Sequence, residues 1–105
     1  MRREQFDRVQ HLDEPIYAML RDEPSLEDGV LYVVDAPHYV EYNCPCGCGN
    51  VVMIPYYTSE PEKGDYGWGL TEQEGKISLY PSVFSTAWPC KSHYFIRDNR
   101  IFWCG

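Results

Sequence analysis

The CPCGCG stretch at residues 44–49 constrains the fold of this 105-residue chain more than any other feature. Its three thiols alternate with two glycines and one proline, which excludes a regular helix and disfavours burying all the sulfurs in an apolar core. A fourth cysteine, Cys90, follows much later in the chain. A closed structural zinc site takes four thiolate or imidazole ligands in a tetrahedron. The pattern therefore predicts a structural Zn²⁺ ion held by cysteines 44, 46, 48 and 90.

The spacing leaves one ligand of this zinc site open. His93 follows Cys90 as Cys-x-x-His, which is an acceptable ligand spacing, so the turn cysteines can be completed by either Cys90 or His93. The four cysteines are the set that leaves His93 free for other chemistry. A zinc site rich in thiolates is usually closed to water, so the pattern does not favour a metalloprotease.

The composition restricts the cellular compartment and the class of binding partner that we expect. Five cysteines are an odd number, the amino terminus is charged, and no apolar run is long enough for a membrane helix, so we expect a cytoplasmic protein with thiols and metal rather than disulfides. The formal net charge is −7, and four thiolates on one Zn²⁺ make it more negative still. Nucleic acid is therefore not an expected partner.

The pattern of apolar residues predicts a single zinc-stabilised domain, 1–105, that is mainly β, with small antiparallel sheets, a zinc-binding turn and one short N-terminal helix at 13–21. The predicted strands are rich in β-branched and aromatic residues and lie at 30–34, 39–42, 51–57, 76–80, 93–97 and 100–104. Pro81 is expected to end the fourth of these strands, and Asp98-Asn99 to turn the last two into a hairpin.

Between the third and fourth predicted strands, the stretch 58–69 indicates a mobile acidic loop that ends in the aromatic residues Tyr66 and Trp68. Trp68 can either bind a peptide or cap the core, and the second role is favoured.

Histidine is scarce, and His93 is the best placed to act as a general base. His11 and His38 are expected in or near loops. Ser92 is a poor nucleophile for His93, because neighbouring residues in a strand point to opposite faces. Ser82 is the better candidate, since it lies where a strand is expected to end and a hydroxyl can be presented to a substrate.

The joint pattern of CPCGCG, SLYPS at 78–82, CKSHYFIR at 90–97 and IFW at 101–103 resembles a small family of zinc-binding bacterial domains. That family occurs in operons with ubiquitin-like proteins and relatives of their conjugating enzymes, and is thought to act as a serine peptidase on the ubiquitin-like protein. The resemblance implies Ser82 as nucleophile, His93 as base and cysteines 44, 46, 48 and 90 as structural ligands. It also implies a ubiquitin-like protein and its conjugates as partners, in a setting of antiviral defence.

Two residues outside this pattern have open roles. Glu41 can orient His93, although an exposed strand glutamate is the favoured interpretation, and Cys104 is either a buried hairpin residue or a spare thiol. The competing function is a zinc-stabilised module that binds a partner of a ubiquitin-like conjugation or defence operon without chemistry. Acylation by a fluorophosphonate distinguishes the two functions, because only a serine hydrolase reacts with it.

Overall fold

The structure, a computed structural model, describes residues 3–13, 26–35, 38–58, 67–84 and 91–104, with Pro81 described by its backbone alone. The strands are β1 (Arg8–Leu12), β2 (Val30–Asp35), β3 (His38–Asn43), β4 (Val51–Tyr57), β5 (Trp68–Gln73), β6 (Lys76–Phe84), β7 (His93–Arg97) and β8 (Arg100–Trp103). This confirms the mainly β class. The predicted helix at 13–21 lies, apart from Asp13, outside the described residues. Among the residues that the structure describes, there is no helix with the length and hydropathy that crossing a bilayer requires.

The strands form one sheet in chain order, from β1 to β8. The sheet is mixed rather than purely antiparallel, because β1 pairs with β2 and β4 pairs with β5 in parallel. Parallel neighbours need a long crossover connection, whereas antiparallel neighbours can be joined by a tight turn. Both parallel pairs are joined by long segments, after Leu12 and after Tyr57, whereas short turns join the antiparallel pairs β3–β4, β5–β6 and β7–β8.

The two edges of the sheet are linked by the residues that precede β1. Gln5 forms an antiparallel bridge to Arg100, the N–H of Phe6 donates to the carbonyl of Asn99 at 2.7 Å, and the N–H of Ile101 donates to the carbonyl of Glu4 at 2.8 Å. This pairing continues the sheet from β8 back towards β1. The sheet thereby curves around one apolar interior, as in a partly closed barrel.

The interior is filled by the alternate residues of every strand from β2 to β8. Tyr42 and Tyr94 are fully buried there, and their hydroxyls meet at 2.7 Å. A second, smaller cluster of Leu26, Val30 and Tyr32 covers the other face of β2. The main core comprises Phe6, Leu31, Val33, Val40, Tyr42, Cys44, Val52, Ile54, Tyr56, Leu70, Ile77, Leu79, Val83, Tyr94, Ile96 and Ile101.

The Asp98-Asn99 turn is confirmed as the turn of the β7–β8 hairpin. Both residues have positive φ, 48° and 65°, which is the conformation that a two-residue type I′ turn requires. The side chain of Asn99 also accepts the N–H of Ile77 at 2.7 Å, and the N–H of Asp98 donates to the hydroxyl of Ser78 at 2.9 Å. The hairpin is therefore fixed to β6 as well as to itself.

Several expectations about the strands are wrong. β6 does not end at Pro81 but continues to Phe84, because an irregularity in the pairing of β6 with β7 accommodates the missing N–H. β1 and β5 were not expected: His11 lies in β1, and Trp68 begins β5.

His38 also lies in a strand, β3, rather than in a loop. Trp68 packs on the main core, which agrees with its favoured role. Residues 59–66 of the expected acidic loop, with Tyr66, lie outside the described part of the chain.

Candidate active site and metal centre

The thiol-rich turn connects β3 to β4, as predicted. It begins with the N–H of Cys44 donating to the carbonyl of Asn50 at 2.9 Å and is tightened by the N–H of Gly47 donating to the carbonyl of Cys44 at 3.1 Å. Gly47 and Gly49 both have φ of 86°, a left-handed conformation that glycine adopts without steric cost. These turns reverse the chain so that successive thiols can point to one place.

The three turn thiols converge closely enough to hold a metal ion. The Sγ atoms of Cys44 and Cys46 are 3.4 Å apart, and all three Sγ atoms lie within 4.8 Å of one another. Sulfurs at about 2.3 Å from a tetrahedral metal would be about 3.8 Å apart, so the arrangement fits a thiolate site. Cys90, the fourth predicted ligand, lies outside the described residues. His93 does not belong to this group of thiols.

The protonation preferences of the turn thiols differ. Burial raises the pKa of Cys44. Burial also opposes ionisation of Cys46, but hydrogen bonds from Ser92, Cys48 and Cys44 outweigh it and lower the pKa of Cys46 to about 6. The turn therefore already favours one thiolate near neutral pH, and a bound cation would allow the others to lose their protons.

Ser92 is buried against the same turn. Its Oγ lies 3.7 Å from the Sγ of Cys44, and only 5% of the residue is exposed. The Cys44 thiol donates to this oxygen, and hydrogen-bond partners of this kind orient the ligands of metal sites. Ser92 directly precedes His93, the first residue of β7, so the thiol turn contacts the chain immediately before the candidate base.

Ser82 and His93 lie within hydrogen-bond distance, with Ser82 Oγ 2.7 Å from Nε2 of the imidazole. Both side chains are half-buried. When the imidazole is neutral and protonated on Nδ1, Nε2 can accept the proton of the serine hydroxyl. The ring of Phe84 packs beside the imidazole, with centroids 4.9 Å apart. The hydrogen bond between Ser82 and His93 is the contact that a hydroxyl nucleophile and its general base require.

An irregularity in the sheet presents Ser82 to His93. Leu79 pairs with Ile96 and Val83 pairs with Tyr94, so the β6 residues between them, 80–82, face only Phe95 of β7. Such a bulge bends a strand and redirects its side chains.

The backbone on both sides of the contact is anchored. Nε1 of Trp68 donates to the carbonyl of Ser82 at 3.2 Å, and the N–H of Cys104 donates to the carbonyl of His93 at 2.9 Å. Cys104 itself is only partly buried.

Glu41 is not positioned to orient His93. It is fully buried rather than exposed, which corrects the expectation, and its cross-strand neighbours are Tyr32 and Met53. Tyr42, the neighbour of Glu41, and Tyr94, the neighbour of His93, meet inside the core. Because neighbouring residues in a strand point to opposite faces, Glu41 and His93 both point away from the core, on opposite sides of it. Within the described ranges, no side chain is hydrogen-bonded to Nδ1 of His93.

Two contributions to the site were not anticipated from the sequence. Ser92 was considered only as a nucleophile, yet its buried hydroxyl contacts a thiol of the turn. Trp68 was considered for the core, yet it also holds the carbonyl of Ser82. The alternation rule gives a signal for the first, because a residue beside an outward His93 must point inward. The contact of Trp68 depends on the parallel pairing of β5, for which we find no local signal.

The fold and these contacts define a small β-sheet protein that combines a serine–histidine pair with a thiol-rich turn suited to a metal ion. Residues 19–104 match the model of a family described as bacterial ubiquitination-like system serine protease (BubE), and the chain belongs to that family. The family name identifies its members as serine proteases of a ubiquitination-like system, which points to a ubiquitin-like partner. Comparison with curated proteins and with solved structures finds no match.

Proposed function

We propose that this chain is a single-domain serine peptidase that processes or deconjugates a ubiquitin-like protein in the cytoplasm, with Ser82 as nucleophile and His93 as general base. The observation that carries this proposal is the 2.7 Å contact between Ser82 Oγ and His93 Nε2. Membership of a family named as serine proteases of a ubiquitination-like system supports both the reaction and the partner. A role of that system in antiviral defence belongs to the same proposal.

In the proposed reaction, His93 accepts the hydroxyl proton as Ser82 Oγ attacks the carbonyl carbon of the scissile bond. The tetrahedral intermediate collapses, the bond to the leaving nitrogen breaks, and the imidazolium gives its proton to that nitrogen. The amine leaves and an acyl ester remains on Ser82. Water then attacks the ester, with His93 again taking a proton, and the free carboxylate and the serine hydroxyl are restored.

The metal in this proposal is a structural Zn²⁺ held by the three turn thiols and by Cys90. Cys90 precedes Ser92 by two residues, and Ser92 contacts Cys44, so chain connectivity supports it as the fourth ligand. Bound zinc would supply cross-linking of the turn to the chain before β7, without contact to the substrate. The contact of His93 with Ser82 supports leaving the imidazole out of the ligand set.

A non-catalytic binding module is the second candidate. The observation that favours it is that, in the described part of the chain, no carboxylate contacts Nδ1 of His93, whereas hydrolases of this type use such a group to hold the imidazole. A module of this kind would bind the same ubiquitin-like protein without cleaving it.

The test combines covalent labelling with cleavage. We expect a fluorophosphonate to label the wild-type chain once, and we expect Ser82→Ala and His93→Ala each to lose labelling and cleavage of a ubiquitin-like precursor. The double variant should be little worse than either single one, because the two groups act as a unit. His38→Ala is the matched control, since its ring lies in β3, stacked on Tyr56. Absence of both labelling and cleavage in the wild-type chain would leave only the binding module, whereas full cleavage by Ser82→Ala would refute Ser82 as the nucleophile.

A further inference from the structure

A groove of about 530 Å³ lies on the outer surface of the sheet, over β4, β5 and β6. Its centre is a row of three neighbouring residues, because Tyr57 pairs with Gly69 and Gly69 pairs with Tyr80. Residues that pair across strands share one face of the sheet, so two tyrosines flank a glycine. Tyr80 is 69% exposed, so its ring is accessible to a ligand in the groove.

Gly69 allows the ring of Tyr57 to lie down against the sheet. A Cβ atom built at position 69 would lie 3.3 Å from Cε2 of Tyr57 and 3.5 Å from its Cζ and hydroxyl. The backbone of Gly69 is not in the left-handed region, so an alanine is conformationally allowed there. Glycine at this position therefore makes room for the Tyr57 ring above the sheet and is not required by the backbone conformation.

The groove runs towards Ser82. Its polar end is formed by Thr71, Ser78 and Arg97, and Ser82 follows Tyr80 on the same strand. The bulge shortens the path, because Leu79 and Val83 face residues only two apart on β7, about 7 Å at 3.3 Å per residue. About three residues of an extended peptide would therefore reach from the polar end to the serine hydroxyl.

We infer that this groove binds the last three or so residues on the acyl side of the scissile bond, extended and with a glycine or alanine between Tyr57 and Tyr80. The inference rests on the proposed function. A peptidase that processes or deconjugates a ubiquitin-like protein meets the same tail in every substrate, whatever the leaving group is. A preformed groove beside the nucleophile therefore suits the constant tail.

The chemistry of the groove agrees with this occupant. Two tyrosine rings offer apolar walls that leave room for a small side chain but not for a large one. The hydroxyl of Ser78 accepts the N–H of Asp98, and its own proton remains available to a peptide carbonyl. Backbone recognition of this kind selects an extended, small-residue segment.

The test measures binding separately from cleavage. A fluorescein-labelled peptide with the last eight residues of the mature ubiquitin-like protein is titrated, by fluorescence anisotropy, into the full chain carrying Ser82→Ala. We expect Gly69→Ala to weaken this binding roughly tenfold or more, which is the usual effect of one unwanted methyl group in a fitted site. In the background of Tyr57→Ala, the same substitution should have little effect, because the ring that it displaces is gone.

Two measurements distinguish a general disturbance of the fold from a specific loss of peptide binding in the groove. In chains with Ser82 intact, the rate of fluorophosphonate labelling should be the same for Gly69→Ala and wild type, since the reagent is too small to need the groove. Gln73→Ala, an exposed position of β5 outside the groove, should bind the peptide like the parent chain.

Unchanged peptide binding in Gly69→Ala, or an equal loss in the presence and absence of the Tyr57 ring, would overturn the inference even if Ser82 proves catalytic. Weakened binding together with full cleavage by Ser82→Ala would instead keep the groove and refute the proposed mechanism.

Discussion

The buried pair of tyrosine hydroxyls predicts a specific pattern of stabilities. Tyr42 and Tyr94 are both fully buried, and their hydroxyls hydrogen-bond each other at 2.7 Å. Replacing either tyrosine by phenylalanine leaves the other hydroxyl buried without its partner, which costs about 1–3 kcal/mol. Replacing both removes the polar pair together and should return the free energy of unfolding close to that of the wild type. For a domain of this size, each 1 kcal/mol corresponds to a shift in Tm of about 4–8 °C.

The assay is thermal and urea unfolding of Tyr42→Phe, Tyr94→Phe and the double variant, all loaded with the same metal. Tyr80→Phe is the control, because that side chain is largely exposed and its change should stay within about 0.5 kcal/mol. Additive losses in the double variant would refute the reasoning, since they would mean that the two hydroxyls stabilise the fold independently.

The same pair predicts a loss of stability at alkaline pH. Burial raises the pKa of both tyrosines above the usual value of 10.0, so they stay protonated in the folded chain while the unfolded chain ionises. This contribution is complete below pH 10 and is lost as the pH rises further, with a slope of about 1.4 kcal/mol per pH unit for each tyrosine. The variant with two phenylalanines should lack that part of the slope.

Two further outcomes concern the thiol turn. Elemental analysis of the purified chain should find one zinc ion. Cys46→Ser should lose both the metal and the cooperative unfolding transition, whereas Cys104→Ser should keep both. Soluble, folded chain without zinc would exclude the proposed site. Ser92→Ala should retain zinc yet lower kcat for the ubiquitin-like precursor with little change in KM, and Ser92→Thr should restore it. Equal loss in both variants would mean that the hydroxyl does not matter.

Local sequence patterns were sufficient for the strands that are apolar on their inner face. β2, β4 and β7 are rich in β-branched or aromatic residues, and the Asp-Asn pair has the conformational tolerance that its turn needs. The thiol turn was also within reach, because ligand spacing is a local rule, whereas the pair of Ser82 and His93 was expected from the family resemblance, since β6 does not end where the local pattern placed Ser82.

The missed elements depend on contacts between distant parts of the chain. β1 is mostly polar and half-exposed, and it is a strand because β2 offers it a parallel partner. Pro81 indicates the end of a strand when only the lost N–H is considered, but the bulge lets β6 continue past it. Glu41 is expected to face water when only its own strand is considered, yet the second cluster beside β2 covers that face of the sheet as well. None of these outcomes has a signal within a short window of sequence.

The alternation of side chains at the start of β7 explains why a thiol turn suited to a metal ion and a serine–histidine pair can occur together in so small a sheet. Ser92 points inward to Cys44, and the next residue, His93, points outward to Ser82. A metal ion that holds the thiol turn would therefore also fix the backbone from which the imidazole projects, and it would do so without touching a substrate. A chelator should consequently abolish labelling of Ser82 together with the cooperative unfolding transition, and a metal that restores the thiol turn should restore both, whether or not it is a strong Lewis acid.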